Sequence, residues 1–319
     1  EPRRRHLSQT ALFMTNLCVI MNPVSGRKQG PKLLHALRDK LVSTDFRLNV
    51  FETEFGGHAH DLARQMDVDA YDGIIVIGGD GTIHEVVNGL MVRSDRKPLP
   101  IGLMPGGSGN SLVRELGLLD PNDAVQAIVS GRTRSIDLIE VTTPMEKIFN
   151  ISMVGWGLVT DIGVRAEKLR RLGTSRYTLA SLLEVARVDP RQAKLSLGAN
   201  EWTDDFVFVI ACNTRFTGKG MKIAPRAKLD DGLMDIVVVR WGPSRLKMLS
   251  LISHVYDGSY INNPHVEYYS APSFSLAPSR EEPLNMDGQL IGTTPIQGRI
   301  VPKAMKVYES VQSSSGPPR

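Results

Sequence analysis

Cysteine is scarce in this sequence: Cys18 and Cys212 are the two among 319 residues. Both sit in apolar runs that read as buried strands, which excludes a disulfide framework and leads us to expect a cytoplasmic protein. Long hydrophobic runs are missing as well. No apolar stretch approaches the ~20 residues of a membrane-spanning helix, and Arg3, Arg4 and Arg5 are not followed by the apolar core of a signal peptide. Any membrane association is therefore expected to be peripheral. Charge of one sign is also modest. A net charge of +4 suits phosphates or an anionic surface but is too small to argue for nucleic acid. The seven histidines show no metal-ligand spacing, and no repeat or low-complexity interior is present. Neither Gly-x-x-x-x-Gly-Lys-Ser/Thr nor His-Arg-Asp occurs, which excludes the P-loop and protein-kinase schemes.

What is present begins with alternating strand and helix signals. Apolar runs at 16–21, 47–53, 73–77 and 101–104 read as strands, and helical spacing follows at 31–42, 58–66 and 83–91. Repeated strand–turn–helix units imply a mostly parallel, Rossmann-like α/β domain over residues 14–137. Beyond residue 137 short strand-like runs dominate (149–154, 194–197, 206–211, 234–239, 273–276, 296–301), with helical stretches at 177–187 and 244–256. This pattern predicts a mainly β-sandwich domain over 138–310, with flexible tails at 1–13 and 311–319. The last strand is expected to return to the first domain.

Three glycine- or serine-rich turns fall at carboxyl ends of the predicted parallel strands, where ligands of such sheets bind. They are Asn22-Pro23-Val24-Ser25-Gly26, Gly78-Gly79-Asp80-Gly81-Thr82 and Gly106-Gly107-Ser108-Gly109-Asn110. Glycine lets backbone N–H groups approach a phosphate closely, and Ser108 and Asn110 can hydrogen-bond phosphate or ribose. Each turn alone is compatible with an ordinary strand–helix connection; together they point to a nucleotide site.

These turns, with Glu52-Thr53, Lys228–Asp235 and Asp287-Gly288, resemble the diacylglycerol kinase and sphingosine kinase superfamily over nearly the whole chain. The stretches His84–Met91, Gly155–Asp161, Glu167–Gly173 and Arg176-Tyr177 look more like sphingosine and ceramide kinases than bacterial diacylglycerol kinases. The resemblance implies an ATP-dependent kinase that phosphorylates a hydroxyl of a sphingoid-type lipid; ceramide, monoacylglycerol and diacylglycerol are alternatives. It implies a nucleotide cleft between the two domains, Asp80 as general base, and Mg²⁺ held by Asp80 and the phosphates. Asn22, Ser25, Gly26, Thr53, Gly79, Gly81, Thr82, Gly107, Ser108 and Asn110 would face the nucleotide. Arg170 and Arg176 would reach its phosphates, with Asp287 and Gly288 alongside. Asp231 and Asp235 lie in a segment that holds a structural Mg²⁺ in some relatives; a plain polar turn is the alternative.

Two departures bear on the acceptor. Sphingosine kinases carry a second acid two residues beyond the position of Asp161, facing the lipid amine, and this chain has Gly163 there. The family's Asp-Gly-Glu also becomes Asp287-Gly288-Gln289, which concentrates the base role on Asp80. Asp161, Leu249 and Ile252 are the expected lipid contacts; the apolar stretch holding the last two reads equally as a buried helix. The expected partners are a lipid substrate and a membrane surface, with a homodimer left open. An NAD kinase, which shares Gly-Gly-Asp-Gly-Thr, and a non-catalytic nucleotide or lipid sensor are the competing readings.

Overall fold

The computed structural model describes residues 14–42, 45–95, 97–169 and 176–310; the expected tails and Arg170 lie outside them. The first domain is built on four parallel strands, β1 (Thr15–Met21), β2 (Phe46–Glu52), β3 (Gly73–Gly78) and β4 (Pro100–Pro105), in the order β2-β1-β3-β4. Every residue of β3 and the last five of β1 are buried, as continuous apolar runs must be when helices cover both faces of a parallel sheet. The helices are α1 (Ser25–Lys28), α2 (Gly30–Leu41), α3 (His58–Gln65), α4 (Asp80–Met91), α5 (Ser111–Glu115) and α6 (Pro121–Ser130). Leu33, Leu34, Leu37 and Leu41 form the buried stripe of α2 that their spacing predicts.

One boundary differs in a way that matters. The helix expected from Ile83 begins at Asp80. Gly79 is extended, and an acid in the first helical turn is favoured by the helix dipole.

The second domain is a sandwich of antiparallel strands. β5 (Thr133–Thr142) runs straight through the expected boundary near residue 138 and pairs with β6 (Lys147–Asn150) and β15 (Ile296–Tyr308). The single strand expected over 149–154 is two: β6 stops at Asn150 and β7 starts at Met153 and ends at Gly157. The interruption has a cause, because Ile151 and Ser152 turn their N–H groups onto the Asp287 carboxylate at 2.9 and 2.7 Å. α7 (Leu158–Lys168) follows without having been foreseen, then α8 (Arg176–Arg187).

β8 (Arg191–Leu197) pairs with the first half of β9 (Asn200–Cys212), whose second half pairs with β7 and β10 (Met234–Arg240). β9 thus turns the corner between the two layers. α9 (Arg245–Ser253), β11 (Glu267–Ala271), β12 (Ser273–Pro278) and the hairpin of β13 (Pro283–Met286) and β14 (Gln289–Thr293) complete the fold. Trp156 and Phe206 meet edge to face at 6.5 Å in the sandwich core, among Val209, Ile236 and Phe274. The opposite face of β7, β9 and β10 is covered by α7, α8 and α9 through Leu158, Val185, Met248 and Leu251. The expected return of the last strand is observed: Lys306 and Val307 pair in parallel with Pro100 and Ile101 at the free edge of β4.

Candidate functional site

Three turns nest at the carboxyl ends of β1, β3 and β4. Gly106 N–H donates to the Gly78 carbonyl at 3.0 Å, and Ser25 Oγ donates to the Gly106 carbonyl at 2.8 Å. Asn22 Nδ2 donates to Thr82 Oγ1 at 3.1 Å, while its Oδ1 accepts Val24 N–H. The glycines serve this nesting directly. A Cβ on Gly107 would stand 2.4 Å from Gly79 Cα, and one on Gly26 would stand 2.2 Å from the Gly106 oxygen. Glycine is therefore required for loop to meet loop here, a demand separate from closeness to a phosphate.

The side chains expected to face a nucleotide divide into two groups. Asn110, at φ +58°, folds back on its own turn: Oδ1 accepts Gly107 N–H at 2.9 Å and Nδ2 donates to the Gly107 carbonyl. Thr53 is buried with its N–H on the Met21 carbonyl. Asn22, Ser25, Thr82 and Asn110 thus shape the cradle, whereas Ser108 stands exposed at the tip of its turn. Gly79 and Gly81 flank Asp80 at the head of α4. Arg176 opens α8, 3.7 Å from Glu167 and with its guanidinium over the Tyr177 ring.

Asp80 is the centre of the group. Its Oδ1 accepts the Ser111 N–H at 2.6 Å, so the start of α5 fixes the carboxylate at the start of α4. Burial raises its pKa from 3.8 to about 6; the Ser111 and Asn110 N–H groups pull downward and the Asp287 charge pushes further up. Glycine at 109 leaves room beside Oδ2, since a Cβ there would come within 2.4 Å of it. The same point lies 3.3 Å from the Gly218 carbonyl, which brings a loop of the second domain against the acid. An acid beside these glycine turns suits a hard cation held by one carboxylate and phosphate oxygens.

Asp287, expected beside the nucleotide, is held within the fold by bonds of its own. It is buried at φ +51°, and its carboxylate accepts four bonds: His84 Nδ1 at 2.8 Å and the N–H groups of Ile151, Ser152 and Met153. His84 lies one turn below Asp80 on α4. Asn88, one turn further, donates to the Phe149 carbonyl and accepts Phe149 N–H. One stripe of α4 therefore carries the acid and two anchors into the second domain. Gly288 N–H donates to Asn285 Oδ1 in the exposed turn next door. Sequence reasoning missed Ser111 and Asn88. The i, i+4, i+8 spacing of Asp80, His84 and Asn88 was a signal that could have found the stripe.

The lipid-side residues separate. Asp161 on α7 accepts from Arg191 at 2.7 Å; Arg191 also reaches Glu282 at 3.1 Å. Burial raises the Asp161 pKa and the Arg191 bond opposes the rise. These groups line a cavity of about 350 Å³ with Thr160 and Arg280. Leu249 and Ile252 pack, half-buried, around Met248 and Leu251. Asp235 is buried against Ser270 Oγ and Asp231 caps Leu233 N–H. Among the described residues no three His, Cys, Asp or Glu side chains gather to hold a metal, so the structural Mg²⁺ expected at Asp231 and Asp235 finds no ligand cluster.

Residues 16–141 match the diacylglycerol kinase catalytic domain, and residues 152–309 match the YegS C-terminal NAD kinase beta sandwich-like domain. The chain belongs to the diacylglycerol kinase and sphingosine kinase superfamily. It is 29% identical to sphingosine kinase 1 of Arabidopsis thaliana, covering 93% of this chain and 73% of the relative. It is 26% identical to human sphingosine kinase 1 (89% and 88%) and 27% identical to a diacylglycerol kinase of Bacillus subtilis (87% and 90%). In fold it is similar to a diacylglycerol kinase structure from Bacillus anthracis, with a TM-score of 0.74 at 24% identity over 94% of this chain and 98% of that one. Among the described residues no helix is long and apolar enough to cross a membrane. As a member of this superfamily the chain is an ATP-dependent lipid kinase.

Proposed function

We propose that the enzyme transfers the γ-phosphate of ATP to a hydroxyl of a sphingoid-type lipid drawn from a membrane surface, with Asp80 as general base. The observation that carries the reading is the placement of Asp80. It is held by Ser111 N–H at the head of α4, where the glycine turns nest, with a pKa near 6 that keeps it ionised yet basic at neutral pH. Asp80 takes the hydroxyl proton as the alcohol oxygen bonds to the γ-phosphorus. The bond from that phosphorus to the β,γ-bridging oxygen breaks, and ADP leaves. Mg²⁺, which Asp80 and the phosphates would hold, supplies positive charge for the phosphoryl oxygens.

An apolar face supports a long-chain acceptor. Met153, whose N–H is on Asp287, belongs to a cluster bordered by Val159, Phe208, Met221 and Val255. Phe208 and Val255 also border the cluster that holds Leu249 and Ile252, so apolar packing is continuous from Met153 to α9. The test is phosphorylation of sphingosine, phytosphingosine, ceramide, monoacylglycerol and diacylglycerol with labelled ATP. A sphingoid product is expected, and its absence while another lipid is phosphorylated overturns the acceptor.

A neutral acceptor is the second reading, favoured by the Arg191 bond that already occupies Asp161. A Cβ on Gly163 would stand 3.2 Å from Asn285 Nδ2, so a small shift of that amide admits a side chain. Gly163→Asp is expected to raise the preference for amine-bearing lipids over neutral ones. An unchanged ranking removes residue 163 from the specificity argument.

A further inference from the structure

Phe55 is 61% exposed in the loop between β2 and α3. An isolated exposed aromatic needs no explanation by itself, but this one is held in place. Its ring stacks on His58 with centroids 4.7 Å apart and planes 5° from parallel. His58 opens α3, and its Nδ1 accepts the Glu54 N–H at 3.1 Å, closing the loop. Gly56 and Gly57 have nothing within 4 Å of where a Cβ would stand, so open space lies beside this loop.

The topology says what that space faces. The strand order β2-β1-β3-β4-β15 fixes the order of loops along the carboxyl edge. Asp80 follows β3, so the reacting phosphate sits there. On the β4 side lie the Gly106–Asn110 turn and the second domain with its apolar face. The rest of the nucleotide therefore runs the other way, over the loops that follow β1 and β2. The Met21–Glu52 register brings Val24 and Phe55, each three residues on, to the same rim. Two strand spacings separate β3 from β2, roughly 10 Å, which is the reach of a triphosphate and ribose.

We propose that Phe55, stiffened by His58, is the platform on which the nucleobase of the phosphate donor stacks. This rests on the kinase reading and names a determinant of donor affinity outside the phosphate cradle. A ring face accepts any base, so the platform contributes affinity without reading hydrogen-bond edges.

The experiment is steady-state kinetics of Phe55→Ala and Phe55→Trp on the lipid that wild type phosphorylates, with inorganic tripolyphosphate as a baseless competitor. Phe55→Ala is expected to raise KM for ATP roughly tenfold, with kcat, melting temperature and the inhibition constant of tripolyphosphate unchanged; Phe55→Trp is expected to stay near wild type. An ATP KM within about twofold of wild type in Phe55→Ala overturns the platform, as does a loss confined to kcat or to vesicle binding. If wild type itself transfers no phosphate from ATP, the kinase reading fails and not this assignment alone.

Discussion

Asp80 sits between opposing demands, and both can be measured. As a base it must be ionised, so kcat/KM is expected to fall with unit slope below about pH 6, where its raised pKa lies. Asp80→Asn is expected to lower kcat by roughly 10²–10⁴-fold while leaving the far-ultraviolet spectrum unchanged; a full-rate variant removes the base assignment. The stability effect has the opposite sign. The folded pKa exceeds the unfolded one, so the ionised form weakens the fold as pH rises from about 4 to 6. Asp80→Asn should therefore raise the denaturation midpoint at pH 8, by on the order of 1–3 kcal/mol, and give no gain at pH 3. A variant less stable than wild type at pH 8 contradicts the burial argument. Asp80 was legible in the sequence as a candidate because Gly-Gly-Asp-Gly-Thr sets one acid among glycines. The partners of Asp287 were not, since nothing in the motif pattern showed that its carboxylate accepts three backbone N–H groups.

At the scale of elements, α4 both bears Asp80 and pins the domains together. His84 and Asn88 fix it to the 149–153 stretch through Asp287 and Phe149. Asp287→Ala leaves His84 and three buried N–H groups without acceptors and is expected to cost about 3–5 kcal/mol, read as a lowered urea midpoint. A change under about 1 kcal/mol would mean that water replaces the carboxylate. The parallel strands and α2 were readable because their apolar periodicity is local. α7 and the break at Ile151–Ser152 were not, because each depends on partners far along the chain. Gly155, Gly157 and Gly163 gave the start of α7 the look of a loop, yet it packs on β7, β13 and β14.

Across the whole molecule, α8 and α9 on the second domain's outer layer present a group of exposed apolar residues. Tyr177, Leu179 and Leu182 on α8 and Leu246 on α9 are exposed, Leu246 at 79%. These adjacent helices cover the sheet that carries the apolar path, which suits a protein that meets its acceptor at a bilayer. Leu179→Glu with Leu182→Glu is expected to abolish co-sedimentation with phosphatidylserine vesicles while sparing turnover of detergent-dispersed lipid. Equal sedimentation of variant and wild type would place the contact elsewhere. Composition led to the expectation of peripheral membrane contact but gave no sign of which helices present apolar side chains, since Met248 and Leu251 on α9 are buried beside the exposed Leu246.

The parallel pairing of β15 with β4 has a consequence during synthesis. The strand that closes the nucleotide-binding sheet is encoded far downstream of the four strands it completes, after the entire sandwich. As the chain leaves the ribosome, β4 waits with an open edge while the second domain is translated, a template for wrong pairing. Nascent chains of this enzyme should therefore draw on chaperones until the final strand docks, and nucleotide binding should emerge late, as one of the last properties the growing polypeptide acquires.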